Sequence, residues 1–218
     1  MEVIEQSWEW LVKPVLPLEL IELAGRTCYK SEEKITPNSS ERFVKRLLDS
    51  GHHSVIEHPV ASVKFITDRG VTHELVRHRL CSFSQESTRY CDYGGDHIKF
   101  IRPVWSTYCP TGIITRDTLS GLLMEDSSAR WAEAMLESEE KYKELLELNS
   151  WRPEQARSVL PNSLKTEIIV TANLREWRHI FTLRCSKAAH PQIRDLMISC
   201  LRGFQEEIPV LFDNIVTE

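Results

Sequence analysis

Leu164, Thr166, Ile168 and Val170 alternate with Lys165, Glu167 and Thr171. Alternation with a period of two marks a strand that turns one face to a core and the other to water. The stretch leads into Asn173, with Glu176 three residues on. That is the pattern of a helix start in which the cap and the third helical residue satisfy each other's backbone N–H groups. Leu174, Trp177 and Phe181 share one face of this helix, and Arg175, Arg178, His179 and Thr182 lie elsewhere around it, up to an end near Arg184. A half-buried strand needs neighbours. Ala61, Val63 and Phe65, set against Ser62, Lys64 and Thr67, supply a second strand of the same kind. The chain must therefore build a sheet with helices laid against it.

The other segments fit that plan. Residues 2–12 read as an opening strand that ends at Pro14. Pro17 opens a helix that carries Leu20, Ile21, Ala24 and Cys28 on one face. Asn38 with Glu41 reads as a capped start for a helix burying Phe43, Val44, Leu47 and Leu48, and Gly51 stops it. Residues 52–59 form a polar turn. Gly70 precedes a short helix from 71 to about 80, and a strand falls around 97–101. The longest helical pattern starts at Asp117 or Thr118 and runs through Leu119, Leu122, Leu123, Ala132, Met135, Leu136, Leu145 and Leu146, with Gly121 and Ser127-Ser128 as early interruptions. Glu137 with Lys141 and Glu139 with Lys143 make favourable pairs four apart. A short helix spans 154–159, and a last helix opens at Pro191. With no repeat, low-complexity segment or linker, the expectation is one α/β domain of the α+β type over residues 1–218, its central sheet mostly antiparallel and flanked by helices.

One stretch is not explained by packing. Arg77-His78-Arg79-Leu80-Cys81-Ser82-Phe83-Ser84-Gln85-Glu86-Ser87-Thr88-Arg89-Tyr90 gathers three arginines, a histidine and several small hydroxyls. Arginine's rigid five-donor fork matches phosphate and carboxylate oxygens and stays charged at physiological pH. The net charge is nevertheless −5. A local positive cluster on an acidic chain favours a confined anionic ligand over a long polyanion, so nucleic-acid binding by this cluster stands as the alternative reading. No basic region followed by an apolar run opens the sequence, and no apolar stretch approaches the roughly 20 residues that span a bilayer. Cys28, Cys81, Cys91, Cys109, Cys185 and Cys200 are scattered without a C-x-x-C pair, as in reduced cytoplasmic proteins.

Metal and nucleophile chemistry find little support. His73 and His78 resemble an H-E-x-x-H helix with one residue too many, and five residues on a helix separate two side chains by about 140°. Glu74 and His78, four apart, can meet instead, a carboxylate orienting an imidazole. No metal site is expected. Ser87 lies in no G-x-S-x-G elbow. Cys81 sits beside cations that lower a thiol pKa, but no second motif supports it as a nucleophile. Arg157, Arg175 and Arg184 lie in segments otherwise rich in core residues, and Arg184 stands at a helix C-terminus that welcomes a cation.

Arg77-His78-Arg79-x-x-Ser82-x-x-x-x-Ser87-x-Arg89 matches the signature R-H-R-x-x-S-x-x-x-x-S-x-R of flavin-dependent thymidylate synthases, the ThyX family. His52-x-Ser54-x-x-Glu57-His58, Ala156-Arg157-x-x-Leu160-Pro161, Asn173-x-Arg175 and Leu183-Arg184 resemble further segments of that family, so the resemblance spans about 51 to 194. It implies a cytoplasmic homotetramer that converts dUMP to dTMP. Carbon comes from 5,10-methylenetetrahydrofolate and hydride from FAD reduced by NADPH, with tetrahydrofolate released, and active sites are built from more than one subunit.

By the same resemblance Ser54, Arg77, His78, Arg79, Gln85, Asn173, Arg175 and His179 stand at FAD-binding positions. Glu74, Arg77, Gln85, Ser87, Thr88, Arg89, Arg157 and Arg184 stand at dUMP-binding positions, with Arg184 the main electrostatic catalyst and Ser87 a binding residue. Many members have Asn-Glu where this chain has Ser84-Gln85, and glutamine where it has Glu74. The position of His179 varies between asparagine and histidine.

Overall fold

The computed structural model describes residues 1–106, 108–121, 126–148 and 150–217. In chain order its elements are β1 (Glu2–Ile4), β2 (Ser7–Val12), α1 (Pro17–Thr27), α2 (Ser40–Asp49), β3 (Val60–Asp68), α3 (Arg69–Leu75), β4 (Ser82–Gln85), β5 (Lys99–Ile101), β6 (Gly112–Ile113), α4 (Arg116–Leu119), α5 (Asp126–Glu147), α6 (Pro153–Ala156), β7 (Lys165–Asn173), α7 (Leu174–Arg184), α8 (Pro191–Glu207) and α9 (Pro209–Phe212). The described strands form two sheets rather than one, ordered β5-β1-β6 and β2-β3-β7-β4. β3 and β7 are the two strands that alternation predicts, and both bury every second side chain, although Thr67, set with the polar face, is two on from Phe65 and falls on the buried one. The expected opening strand is two strands, and β1 and β2 join different sheets. β1 pairs antiparallel with β6 but parallel with β5.

The chain divides into two compact units. The first comprises Met1–Ser7, Phe65–Leu75 and Ser84–Ile168. Its core sets Val3, Phe100, Ile98 and Leu164 against Ala132, Met135, Leu136 and Tyr142 of α5. A fully buried aromatic such as Phe100 contributes about 1.5–3 kcal/mol. The expected long helix appears as α4 and α5, and Leu122 and Leu123 of its apolar stripe lie outside the described residues. Glu139 pairs with Lys143 at 2.8 Å as expected, and Lys141 bonds Glu144 at 2.8 Å while the Glu137 charge also favours its ammonium.

The second unit comprises Trp8–Lys64, Val76–Phe83 and Ile169–Glu218. Trp177 and Phe181 of α7, Phe204 of α8 and Phe212 of α9 pack ring on ring, with centroids 5.0–5.9 Å apart. Gly203 of α8 admits the Trp8 ring, since a Cβ there would lie 2.3 Å from it. α2 begins at Ser40, not at an Asn38 cap. Ser39 precedes it, and its hydroxyl serves the buried Glu22 at 2.7 Å. Gly51 ends this segment at φ +73°, the left-handed conformation glycine adopts without strain.

The largest departure is α3, which stops at Leu75 and not near residue 80. Residues 82–85 pair into the sheet as β4, and that tertiary demand overrides the helical spacing upstream. Arg77, His78 and Arg79 therefore leave the helix on a turn.

Candidate functional site

In the second unit α7 opens where β7 ends. The Asn173 side chain accepts the backbone N–H of Glu176 at 2.9 Å, the cap expected from the sequence. Residues 175, 176 and 179 then project to one side, because positions three and four apart are neighbours on a helix. Together with Glu57 and Leu80 they line a cavity of about 520 Å³ at the helix start, within the roughly 300–1,000 Å³ of small-molecule sites. Arg175 reaches across to Glu57 at 2.5 Å. Ser54 is exposed on the turn His53–Glu57.

His78 is 5% exposed, whereas Arg77 and Arg79 on either side are exposed. Its Nε2 accepts the Nε–H of Arg184, 106 residues away, at 3.0 Å. Its ring meets that of His179 edge to face at 5.7 Å. Burial, then the Arg184 charge, then His179 pull the imidazole pKa down to about 4, so it is neutral at physiological pH. The carboxylate beside it is Glu176, 3.5 Å from Nδ1. The helical spacing expected to pair Glu74 with His78 is lost, because the helix ends at Leu75. Sequence spacing gave no sign of Glu176 in this position; it read only as a capping partner of Asn173. Cys81 also departs from expectation. Burial, reinforced by Glu176, pushes its thiol up to about 12, the opposite of activation.

His78, Glu176 and His179 offer possible ligand atoms within 4.8 Å of one another. The tautomer speaks against their use by a metal ion. A metal on Nδ1 of His78 would put the ring proton on Nε2, facing the N–H of Arg184, donor against donor. A guanidinium at that distance also repels a cation.

In the first unit Thr88, 5% exposed, accepts from Arg157 Nη1 at 3.1 Å. The two line a cavity of about 530 Å³ with Arg69, His73, Glu154 and Asn162. The Ser87 hydroxyl accepts the backbone N–H of Arg89 at 3.3 Å, and the Arg89 guanidinium stands 5.3 Å over the Tyr90 ring. Glu74 is half-buried in α3, and Gln85 is half-buried at the end of β4. Glu86, not anticipated from the sequence, is held by Lys165 at 3.0 Å and by the Tyr93 hydroxyl at 2.6 Å.

This arrangement can be set beside known proteins. The family model described as "Thymidylate synthase complementing protein" matches residues 11–210. The flavin-dependent thymidylate synthase of Mycobacterium avium (strain 104) is 37% identical over 205 residues, covering 88% of this chain and 77% of that protein. The one from Mycobacterium sp. (strain KMS) is 37% identical over 227 residues, covering 94% and 85%. Among solved structures, the UMP/dUMP methylase PolB from Streptomyces cacaoi, bound with 5-Br dUMP, matches with a TM-score of 0.76 at 23% identity, covering 98% of this chain and 96% of that one. Thymidylate Synthase X (ThyX) from Helicobacter pylori, with FAD and dUMP, matches at 0.75 and 22% identity, covering 98% and 100%. These two likenesses speak for the fold, and the family pattern with the mycobacterial relatives speaks for kinship: the chain belongs to the flavin-dependent thymidylate synthases.

Proposed function

We propose that this chain methylates dUMP to dTMP, drawing carbon from 5,10-methylenetetrahydrofolate and hydride from FAD reduced by NADPH, with tetrahydrofolate released. The observation that carries the reading is the hydrogen bond from Arg184 to His78. It ties the arginine-rich motif to the distant residue that the family resemblance marks as the electrostatic catalyst.

The donors around the α7 cavity suit FAD. Asn173 offers an amide, Arg175 a guanidinium for an anionic group and His179 an imidazole, with the neutral His78 ring packed behind His179. When bound, the flavin supplies the redox chemistry by carrying hydride, while the protein supplies position and field. Arg184 acts on the pyrimidine. The uracil C5–C6 bond accepts hydride poorly, and a fixed cation beside an ionised N3 holds the ring in a polarised form. Thr88 and Arg157, already in contact, suit the nucleotide phosphate, with Ser87 and Arg89 close in sequence. Glu74, Arg77, Arg79, Ser54 and Gln85 keep their FAD or dUMP assignments in this reading. The family pattern runs through both compact units without a break, which supports a single domain over residues 1–218. We read the enzyme as a cytoplasmic homotetramer whose sites draw on more than one subunit, after the family.

The nucleic-acid alternative is not favoured. The match to the family pattern over residues 11–210 and the kinship with the mycobacterial enzymes speak for thymidylate synthesis instead.

The test is spectroscopic and chemical. The purified protein should show oxidised-flavin absorption that NADPH bleaches and air restores, and it should form dTMP from dUMP with methylenetetrahydrofolate. Arg184→Ala should keep the flavin and lose turnover by roughly 10²–10³-fold. A protein that binds neither FAD nor dUMP would end this reading.

A further inference from the structure

Glu176 is the third residue of α7, where a carboxylate ordinarily reaches back to the N–H of the cap residue. Here only half of that box is made: Asn173 accepts the Glu176 N–H, and the Glu176 side chain goes to His78 instead. Both side chains are buried, 8% and 4% exposed. At 3.5 Å the contact is more electrostatic than a hydrogen bond. The Cys81 thiol and His179 also act on this carboxylate, Glu57 and Arg175 line the same cavity, and Arg184 stands behind His78.

The ring protons can be counted. Guanidinium groups only donate, so the nitrogen of His78 that faces Arg184 carries no hydrogen. A neutral imidazole must then hold its proton on Nδ1, the nitrogen toward Glu176. A carboxyl oxygen beside Nδ1–H favours that tautomer, as partners on the far side of a histidine commonly do. Were the proton on Nε2, it would meet the Arg184 N–H head-on and turn the guanidinium away.

We propose that Glu176 is a positioning residue of the reaction: by keeping the His78 proton on Nδ1 it leaves Nε2 to receive Arg184, and so aims the Arg184 guanidinium. The proposal rests on the reading of Arg184 as the group that acts on the pyrimidine. It adds a carboxylate that never touches substrate and works through two other side chains.

The experiment pairs a tautomer measurement with kinetics on the full-length protein. Long-range ¹H–¹⁵N correlation of ¹⁵N-histidine-labelled protein, assigned by loss of the signal in His78→Gln, should show the His78 proton on Nδ1 at pH 7.5. In Glu176→Leu the proton should move wholly or partly to Nε2. The flavin spectrum should persist, and kcat should fall roughly 10–100-fold, the usual effect of removing such a partner, with a smaller change in KM for dUMP. Glu176→Gln retains an acceptor oxygen and should restore the Nδ1–H tautomer and most of kcat. A wild-type His78 protonated on Nε2 overturns the proposal, and so does a Glu176→Leu enzyme with unchanged kcat. Should Glu176→Leu not fold, the wild-type tautomer and the Glu176→Gln kinetics decide it: a Gln variant as slow as an Arg184 variant, with the tautomer unchanged, also overturns it. A wild-type protein that holds FAD but makes no dTMP is a different failure. It removes the functional reading, and the positioning role with it, even where the tautomer is as expected.

Discussion

The side-chain amide of Gln85 donates to Thr72 Oγ1 at 2.9 Å and to Thr166 Oγ1 at 3.3 Å. Both threonines are buried. The Thr72 hydroxyl in turn donates to the Arg69 carbonyl at 3.0 Å, so it can only receive from residue 85. The pocket is built around an amide. Gln85→Glu would bring a carboxylate against oxygen lone pairs, and turning the Thr72 hydroxyl toward it would abandon the Arg69 carbonyl. The expected cost is about 1–3 kcal/mol, the usual range for a buried polar group left without its partner. Thermal unfolding should show the midpoint lower by roughly 2–10 °C. A variant that melts with the wild type would mean that these hydroxyls can reverse freely.

Much of this architecture can be read from local pattern. β3 and β7 declare themselves by alternation, α7 by Asn173 at its start, and α8 by Pro191, because each is set by neighbours along the chain. Partner choice cannot be read that way. The helix at 71–80 is cut short because residues 82–85 find a place in a sheet, and residues 2–12 divide because their two halves pair in different sheets. Glu176 has the spacing of a capping residue, yet its carboxylate faces a histidine almost a hundred positions upstream. The motif residues were legible as a group, and His78 and Arg184 do meet. The surrounding groups that hold them, Glu176 and Glu86 above all, leave no periodic trace in the sequence.

Lys165 gives a second prediction. It binds Glu86 at 3.0 Å and Glu167 at 2.6 Å, and the side chains of Lys165 and Glu86 are each 16% exposed. Burial opposes the ammonium charge, but the bonds to Glu167 and Glu86 outweigh it and hold the Lys165 pKa above the usual lysine range. Lys165→Met would take away the ammonium that bonds both carboxylates. The loss should be about 1.5–3 kcal/mol in urea unfolding, the range for hydrogen bonds to charged groups. Adding Glu86→Gln to Lys165→Met should recover part of it, because one uncompensated charge is gone. A single-variant loss below about 0.5 kcal/mol would show the cluster to be an ordinary surface pair.

The depressed pKa of His78 makes a prediction about pH. In the unfolded chain this imidazole takes up a proton from about pH 6.5 downward, whereas in the folded chain it does so only near 4. Between those values the unfolded state binds more protons, so stability falls as pH drops from 6.5 to about 4, and above that window His78 has no effect. Across that window the contribution is on the order of 3 kcal/mol. His78→Gln keeps an acceptor for Arg184 and cannot titrate. The stability difference between wild type and His78→Gln, measured by urea unfolding, should therefore be flat above pH 7 and should shift against the wild type as the solution is taken to pH 4.5. A difference that stays constant over the range would place the His78 proton affinity near its ordinary value.

Cys81 lies inside the arginine-rich motif, where neighbouring cations suggest a reactive thiolate. The fold supplies the opposite environment. The thiol is half-buried, the nearby carboxylate of Glu176 disfavours a second negative charge, and the pKa is driven up to about 12. At pH 8 roughly one molecule in 10⁴ would carry the thiolate, the form that attacks an alkylating agent. Cys28, exposed at the end of α1, is the accessible competitor. Brief treatment with iodoacetamide at pH 8, followed by peptide mass mapping, should label Cys28 well before Cys81. Cys81→Ser should leave dUMP turnover within about threefold of wild type, since a thiol that does not ionise is no nucleophile. Early, selective labelling of Cys81 would show that the motif's cations govern the thiol after all, and would bring covalent catalysis at that position back into question.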